Sequence, residues 1–243
     1  MRDRKFGLKA LGLALMAALG LMAFMAVAAQ AETLPDGGKT GKFLVQGEAA
    51  LAKTGVTFST TQIGTGTLLV PTRVDILCKK GTVTGEFKTT EPIGLEALGS
   101  AEFTECTAWQ PVALGATHTT SAKCTVKEPI IVEKARALPK LHEGEPYVEL
   151  EEDGAVFTTV FLEGPECILT KKNEITGATH ALVEGSGTAE PKLILSEEIA
   201  KLFQPSTTTG THLKFGGLDA YIDATAQAKL TDAEHLTKTL GVC

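Results

Sequence analysis

Apolar and polar residues alternate along much of this chain, which is the pattern of half-buried β-strands. The clearest case is residues 218–230, where leucine, alanine and isoleucine occupy every second position. Successive side chains of a strand point to opposite faces, so a period of two predicts one face in the core and one in water. Because these thirteen residues exceed the usual strand length, the pattern also predicts a bend or bulge within them.

A tight hairpin is predicted over residues 147–162. Asp153-Gly154 would supply the positive φ angles that a two-residue turn needs, and β-branched and aromatic residues fill the second arm. Further strands are predicted at residues 43–47, 55–59, 67–70, 73–78, 82–88, 101–106, 122–126 and 178–184. Turn residues such as Lys80-Gly81 separate these segments.

Short helices are predicted at two places. Residues 196–203 have Ser196 as an N-cap and two glutamates in the first turn, where the helix dipole favours acidic side chains. A second helix is predicted after Thr231, because Thr231 and Glu234 have the spacing of a capping box. Many short strands with one or two short helices indicate an all-β fold, either a sandwich or an irregular barrel of antiparallel strands.

The first 31 residues differ from the rest of the chain. Residues 1–9 carry four basic side chains and one acidic side chain, and residues 10–29 carry no charge. With the small-residue pattern Ala29-Gln30-Ala31, they predict a signal peptide over residues 1–31, cleaved after Ala31. The alternative is a retained anchor, because about 20 apolar residues would just span a bilayer. A flexible segment at 32–41 and a single all-β domain at 42–243 would follow.

The β domain contains a faint internal similarity. Residues 44–47 and 182–185 have similar sequences, and each is followed by a segment rich in threonine and glycine. Two related halves, about 42–127 and 146–243, are one explanation. Chance similarity in a chain rich in glycine and threonine is the favoured explanation. All 33 threonines follow residue 31, and this density suits exposed strand faces. A glycan- or ice-binding threonine array would need a regular ladder that the sequence lacks.

The net charge of the chain narrows the range of binding partners that it can be expected to have. The whole chain has a formal charge of −6. Cleavage after Ala31 would remove four of 23 basic residues and one of 29 acidic residues, which leaves −9. An acidic chain without a basic tract predicts no nucleic-acid partner. After cleavage no second apolar run approaches bilayer length, so no membrane contact is predicted.

The five cysteines all lie in the part predicted to be exported, where disulfides form. Two bridges are predicted, Cys106–Cys124 and Cys78–Cys167, with Cys243 unpaired. The first pairing rests on a loop that would join two strand-like segments, and other pairings remain open. Zinc is the competing explanation, but the cysteines are too widely spaced for a metal knuckle, and no histidine pair has ligand spacing.

No catalytic motif, cofactor motif or metal motif is present, so no catalytic residue and no cofactor are predicted. The five histidines are scattered along the chain. Oxygen ligands are concentrated in residues 142–154, where Glu149 and Glu151 share one strand face and Glu152 and Asp153 enter the predicted turn. Calcium binding at the hairpin tip is one hypothesis. The alternative, which the missing ligand loop favours, is a solvated charge cluster that protects a sheet edge.

Six segments carry a resemblance to a known group of proteins. They are residues 44–51, 74–78, 101–106, 124–127, 161–167 and 216–223. With these segments the chain resembles uncharacterised exported β-rich, cysteine-containing proteins of high-GC Gram-positive bacteria, which have no assigned activity. The resemblance covers about residues 42–230 and matches least well after Thr231. It implies an extracytoplasmic β domain, and no functional residue is carried over from it.

These observations lead to two hypotheses for function. The first is a secreted or cell-envelope, non-catalytic β protein that binds a cell-surface, glycan or protein partner, or serves as a structural module. The second is a secreted hydrolase whose site is assembled only in the fold. An enzyme should have a deep pocket with a histidine or paired carboxylates of perturbed pKa, whereas a binding module should offer a shallow face or groove.

Overall fold

The structure is a computed structural model, and it describes residues 39–46, 48–49, 56–71, 73–88, 95–111, 118–120, 124–169, 171–202 and 212–243. The chain divides into two units, Met1–Ala31 and Glu32–Cys243, and every described residue lies in the second. The predicted signal peptide, and residues 32–38 of the predicted flexible segment, lie outside the described residues.

The described residues are predominantly β-strand, which confirms the predicted all-β fold. The strands are β1 (Lys39–Thr40), β2 (Phe43–Val45), β3 (Glu48–Ala49), β4 (Thr57–Val70), β5 (Val74–Phe87), β6 (Ala97–Pro111), β7 (His118–Thr120), β8 (Thr125–Val126), β9 (Ile130–His142), β10 (Glu145–Glu152), β11 (Thr158–Glu163), β12 (Lys172–Thr176), β13 (Ala178–Glu184), β14 (Lys192–Leu195), β15 (Lys214–Phe215), β16 (Leu218–Asp219), β17 (Tyr221–Leu230) and β18 (Leu240–Val242). A helix, α1, spans Glu197–Leu202.

Eight antiparallel strands close into a barrel. Their order is β9-β10-β13-β14-β17-β4-β5-β6, and pairing of β6 with β9 completes the circle. β1 adds to β9 and β7 adds to β6 beyond the closed part. The barrel takes strands from both predicted halves, 42–127 and 146–243, so neither half closes a barrel alone. Because β6 and β9 pair with each other, each barrel strand has a neighbour on both sides. Few strand edges are therefore left exposed for pairing with other chains.

Two smaller sheets contribute to the core at different places in the barrel. A five-stranded sheet, β16-β15-β12-β11-β8, packs in an apolar cluster that includes Ile76, Leu162 and Phe215. A three-stranded sheet, β18-β2-β3, packs in a second cluster that includes Phe43 and Leu230. The described residues contain no helix long and apolar enough to cross a membrane.

The alternating segment 218–230 forms two strands, β16 and β17, which meet at Ala220. β17 pairs with β4 and β14, and its register against β4 shifts between Asp223 and Thr225. The predicted irregularity is therefore confirmed. The strand is divided because residues 218–219 pair with β15 in the five-stranded sheet, whereas β17 belongs to the barrel.

The hairpin predicted at residues 147–162 is wrong. β10 pairs with β9 and β13, whereas β11 pairs with β12 and β8 in a different sheet. The hairpin in this region joins β9 to β10 through Glu143 and Gly144, whose φ angles are 52° and 90°. Two successive positive φ angles match the right-handed twist of the flanking strands. A two-residue turn of the kind predicted at Asp153-Gly154 is therefore present at Glu143-Gly144.

The turn predicted at Lys80-Gly81 is also wrong, because both residues lie within β5. Gly81 has a packing role instead. A Cβ atom at this position would lie 2.7 Å from the ring of Phe103 and 2.7 Å from the side-chain oxygen of Gln62. Glycine is required here by close contact with side chains of the neighbouring strands and not by a turn.

One of the two predicted helices is present. In α1 the Ser196 Oγ accepts a hydrogen bond of 3.2 Å from the Ile199 amide, which is the predicted N-cap. The helix predicted after Thr231 is wrong, because residues 232–238 form successive turns. The Thr231 hydroxyl pairs with the Thr57 hydroxyl at 2.8 Å and does not cap, and the Asp232 carboxylate binds the His235 ring.

The four predicted bridge cysteines form two disulfides, but the predicted pairing is wrong. Cys78 pairs with Cys106, and Cys124 pairs with Cys167. Cys78 and Cys106 are direct cross-strand partners of β5 and β6, a relationship that is set by strand register and is invisible in linear spacing. Cys124 and Cys167 flank the paired strands β8 and β11. Cys243 is free and half-buried.

Candidate ligand-binding cavity

The inner faces of the barrel strands line a cavity of about 270 Å³. Its wall is built by alternate residues of the barrel strands, because every second side chain of a strand points inward. Many of these inward positions hold glycine or alanine. The small lining residues include Gly99, Ala101, Ala135, Ala137, Ala224 and Ala228. An eight-stranded barrel is just wide enough to be filled by side chains or to hold one small ligand, so small lining residues favour the second arrangement.

A bulge in β9 keeps apolar side chains on the inner face. Ala101 pairs with Val132 and Gly99 with Ala135, so β9 has one more residue than β6 over this interval. The extra residue reverses the alternation, and both Val132 and Ala135 line the cavity. The same bulge turns the intervening Glu133 and Lys134 to the exposed side.

Aromatic and aliphatic side chains from both apolar clusters complete the lining. Phe43 and Val242, from β2 and β18, contribute from the three-stranded sheet. Phe87 stacks with Phe43 and Phe58 at ring-centroid distances of 5.0 and 5.1 Å. Phe157, Ile175 and Leu213 contribute from the other cluster. Side chains of both smaller sheets therefore reach the cavity.

Few polar groups reach the cavity, and most of their donors are engaged. Gln62 Nε2 donates to the backbone oxygens of Gly64 and Cys78, each at 2.8 Å. The Thr158 hydroxyl donates to the Ile131 carbonyl. Arg136 is the charged residue of the lining, and its guanidinium is paired with Glu151. The cavity therefore offers an almost entirely carbon surface.

A row of buried charged residues lies on β9, β10 and β13, on the face of these strands that points away from the cavity. Strand alternation turns Lys140, Glu149 and His180 away from the cavity, and their exposed fractions are 6%, 0% and 1%. The Lys140 Nζ lies 3.0 Å from the Glu149 Oε2, and the His180 Nε2 lies 3.9 Å from the same oxygen. Beside them Arg136 pairs with the buried Glu151. The outer face of β9, β10 and β13 thus carries a buried ion network.

This network corrects the interpretation of the acidic stretch. Glu149 and Glu151 are neither solvated nor at a hairpin tip, since both are buried and paired with cations of β9. Asp153 is exposed and lies 4.0 Å from the Arg136 Nε. Within the described ranges no group of three or more His, Cys, Asp or Glu side chains is arranged to hold a metal ion.

Burial shifts the pKa of two groups in the network. Loss of hydration lowers the pKa of His180 to about 4, against the opposing attraction of Glu149, so the ring is neutral at pH 7. Burial also raises the pKa of Glu151, which Arg136 partly opposes. The pair Lys140–Glu149 therefore stands next to a neutral imidazole.

The shift at His180 leads to a pH-dependent stability. Between pH 6.5 and 4 the unfolded state binds a proton at this position that the folded state does not, so the free energy of unfolding falls as the pH falls through this range. We expect His180→Gln to lose less stability than the wild type between pH 7 and 4.5, measured by urea unfolding. The raised pKa of Glu151 acts in the opposite direction in both proteins and cancels in the comparison. Equal losses in the two proteins would contradict the expectation.

None of the described histidine side chains lines the cavity. His235 pairs with Asp232, the ring of His142 lies 6.3 Å from that of Tyr147, and the backbone of His212 forms a bridge with Ala178. His118 belongs to β7, and its side chain lies outside the described part. No carboxylate lines the cavity either, as far as the structure describes the lining. The cavity and the buried residues Lys140, Glu149 and His180 therefore occupy opposite faces of β9, β10 and β13.

β9, which supplies Arg136 and Lys140, is not among the strands predicted from the sequence. The signal was weak, because the bulge near Glu133 interrupts the alternation. Comparison with family models, with curated proteins and with solved structures found no match for this chain.

Proposed function

We propose that this protein is an extracytoplasmic, non-catalytic binding protein that holds one small apolar molecule inside its barrel. The observation that carries the proposal is the cavity of about 270 Å³ with its carbon-rich lining. Ligand sites in proteins are concave, mostly apolar and largely preformed, with a few placed polar groups. The cavity has each of these properties, and it lies in the centre of the barrel.

The energetics of packing support this proposal. Unfilled volume in a core is destabilising, because the atoms that line it lack dispersion contacts on one side. A bound apolar molecule would restore the missing dispersion contacts and offset much of this cost. Larger residues at the inward glycines and alanines would do the same, but this sequence does not place them there.

The distribution of charge supports binding over catalysis. The paired and buried Lys140, Glu149 and His180 face away from the cavity, so none is positioned to act on a bound molecule. Their positions favour a structural role, because they lie beside one another across paired strands. Lys140 of β9 is the partner of Tyr147 on β10, and Glu149 of β10 is the partner of His180 on β13. A one-residue slip would exchange the charged row with the apolar row and is therefore disfavoured.

Export is part of the proposal. The two disulfides are compatible with an oxidising compartment, and the predicted signal peptide would deliver the chain there. An apolar molecule is poorly soluble in water, and enclosure in a barrel would carry it through an aqueous compartment.

A matched pair of variants on β6 tests the proposal. Ala101 lines the cavity, whereas the next residue, Glu102, is exposed. We expect Ala101→Phe to fill part of the cavity and weaken binding of naphthalene at least tenfold, while Glu102→Phe leaves binding unchanged. Binding is measured by naphthalene fluorescence with purified, oxidised protein. Because Phe enters unfilled space, we expect Ala101→Phe to keep or raise the melting temperature.

A second measurement addresses the native ligand. Organic extraction of the protein purified from its extracytoplasmic compartment, followed by mass spectrometry, should release a small apolar compound in a ratio near one per chain. Wild-type protein that binds no apolar probe and yields no compound would contradict the proposal, as would Ala101→Phe that is folded and binds with wild-type affinity.

A further inference from the structure

A buried hydroxyl of the cavity wall lacks a hydrogen-bond partner among the described residues. Thr179, on β13, is 2% exposed, and within the described part of the chain its hydroxyl has no hydrogen-bond partner. The residue lines the cavity together with Leu150, its direct cross-strand partner on β10. The neighbouring His180 faces the other side of the wall. Burial of a hydroxyl without a partner costs free energy that a valine of the same shape would not.

Two other side-chain hydrogen-bond donors near the cavity differ from the Thr179 hydroxyl, because both are already bonded within the protein. Gln62 and Thr158 point toward the same space, but their donors bind backbone carbonyls. Arg136, the charged residue of the described lining, is paired with Glu151 through Nη2, and its Nε lies 4.0 Å from the Asp153 Oδ1, so carboxylates of the protein already balance its charge. Thr179 thus offers both a donor and an acceptor to a molecule in the cavity.

Building on the proposed function, we propose that the cavity is specific for an uncharged molecule with a single hydroxyl or carbonyl group, which hydrogen-bonds to the Thr179 hydroxyl. The size of the ligand follows from the volume. A cavity of about 150 Å³ holds benzene, so one of about 270 Å³ accommodates roughly eleven non-hydrogen atoms. Small apolar alcohols, phenols and ketones of this size fit the description, whereas carboxylates do not.

Naphthalene, 2-naphthol and 2-naphthoate are the three probes, and their fluorescence measures binding. We expect wild-type protein to bind 2-naphthol about tenfold more tightly than naphthalene, because the phenol satisfies the Thr179 hydroxyl. 2-Naphthoate should bind at least tenfold more weakly than 2-naphthamide, an uncharged control with the same number of non-hydrogen atoms, because burial of its charge is not compensated. We expect Thr179→Val to bind naphthol and naphthalene with equal affinity, and Thr179→Ser to keep the preference for naphthol.

A control variant and a stability measurement distinguish a specific effect of the Thr179 hydroxyl from the effect of any threonine-to-valine substitution. Thr61→Val makes the same chemical change at an exposed residue of β4 outside the described lining, so the preference for naphthol should be unchanged. Without any probe, Thr179→Val should melt at a higher temperature than the wild type, because an unsatisfied hydroxyl is removed.

The outcomes distinguish the two proposals. Wild-type protein that binds naphthol and naphthalene equally, or Thr179→Val that keeps the preference, would overturn the role of Thr179 and leave the proposed function intact. Tight binding of 2-naphthoate would overturn the specificity for uncharged molecules. Binding of none of the three probes by the wild type would contradict the proposed function and this inference together.

Discussion

Replacing Cys124 and Cys167 by alanine is expected to lower the free energy of unfolding by about 4 kcal/mol. The bridge closes a loop with a sequence separation of 43, and loops of this length restrict the unfolded chain by about that amount. The bridge also ties the chain before β8 to the chain after β11. Urea unfolding of the variant and of the wild type under oxidising conditions measures the difference.

Variants of the other three cysteines are the controls for removal of the Cys124–Cys167 bridge. The Cys78–Cys106 bridge has a sequence separation of 28, so its removal by double alanine substitution should cost slightly less, still about 3–4 kcal/mol. Cys243→Ser should change stability little, because this thiol is free and half-buried. Peptide mapping without reduction should link Cys78 to Cys106 and Cys124 to Cys167. A peptide that joins Cys106 to Cys124 would contradict the structure and restore the pairing expected from spacing.

Replacing Lys140 by methionine is expected to destabilise the protein by about 3–5 kcal/mol. The substitution removes the cation 3.0 Å from Glu149, a carboxylate with no exposed surface. Loss of one partner of a buried ion pair leaves an uncompensated charge in a medium of low dielectric constant. The nearby His180 cannot replace the cation at pH 7, because burial lowers its pKa to about 4. Urea unfolding at pH 7 measures the loss.

Two further variants test this explanation. The double variant Lys140→Met with Glu149→Leu should recover most of the lost stability, because an apolar pair of similar volume needs no hydration. Lys172→Met is the surface control, since Lys172 and Glu174 form an exposed pair at 2.8 Å. Its cost should be below about 1 kcal/mol. A similar cost for Lys140→Met and Lys172→Met would show that the buried network contributes no more than a surface pair.

The wall formed by β9, β10 and β13 connects these stability predictions with the proposed function. Its outer face carries Lys140, Glu149 and His180, and its inner face carries Ala137, Leu150 and Thr179. An ionic row on one face fixes the register that brings the apolar row into the cavity. Variants of the ionic row should therefore weaken ligand binding only as far as they unfold the barrel, whereas Thr179→Val should change specificity without loss of fold.

Sequence periodicity predicted the elements in which one strong local rule acts. The alternation at 218–230 predicted β17 with its bulge, and Ser196 predicted the start of α1. Local rules failed where two sites satisfied the same rule. Asp153-Gly154 and Glu143-Gly144 both suit a tight turn, and only pairing of β10 with β9 and β13 decided between them. Lys80-Gly81 had the composition of a turn, but Phe103 packs over that glycine within the sheet.

The sequence by itself determined the all-β class, because a period of two is encoded in neighbouring residues. It also predicted that four of the cysteines form two bridges, and the structure has both. The tertiary structure alone decided which cysteines pair, since the partners are set by register between β5 and β6 and between β8 and β11. It alone decided that the barrel strands line a cavity, because the inward glycines and alanines come from strands far apart in the chain and leave space only when the circle closes.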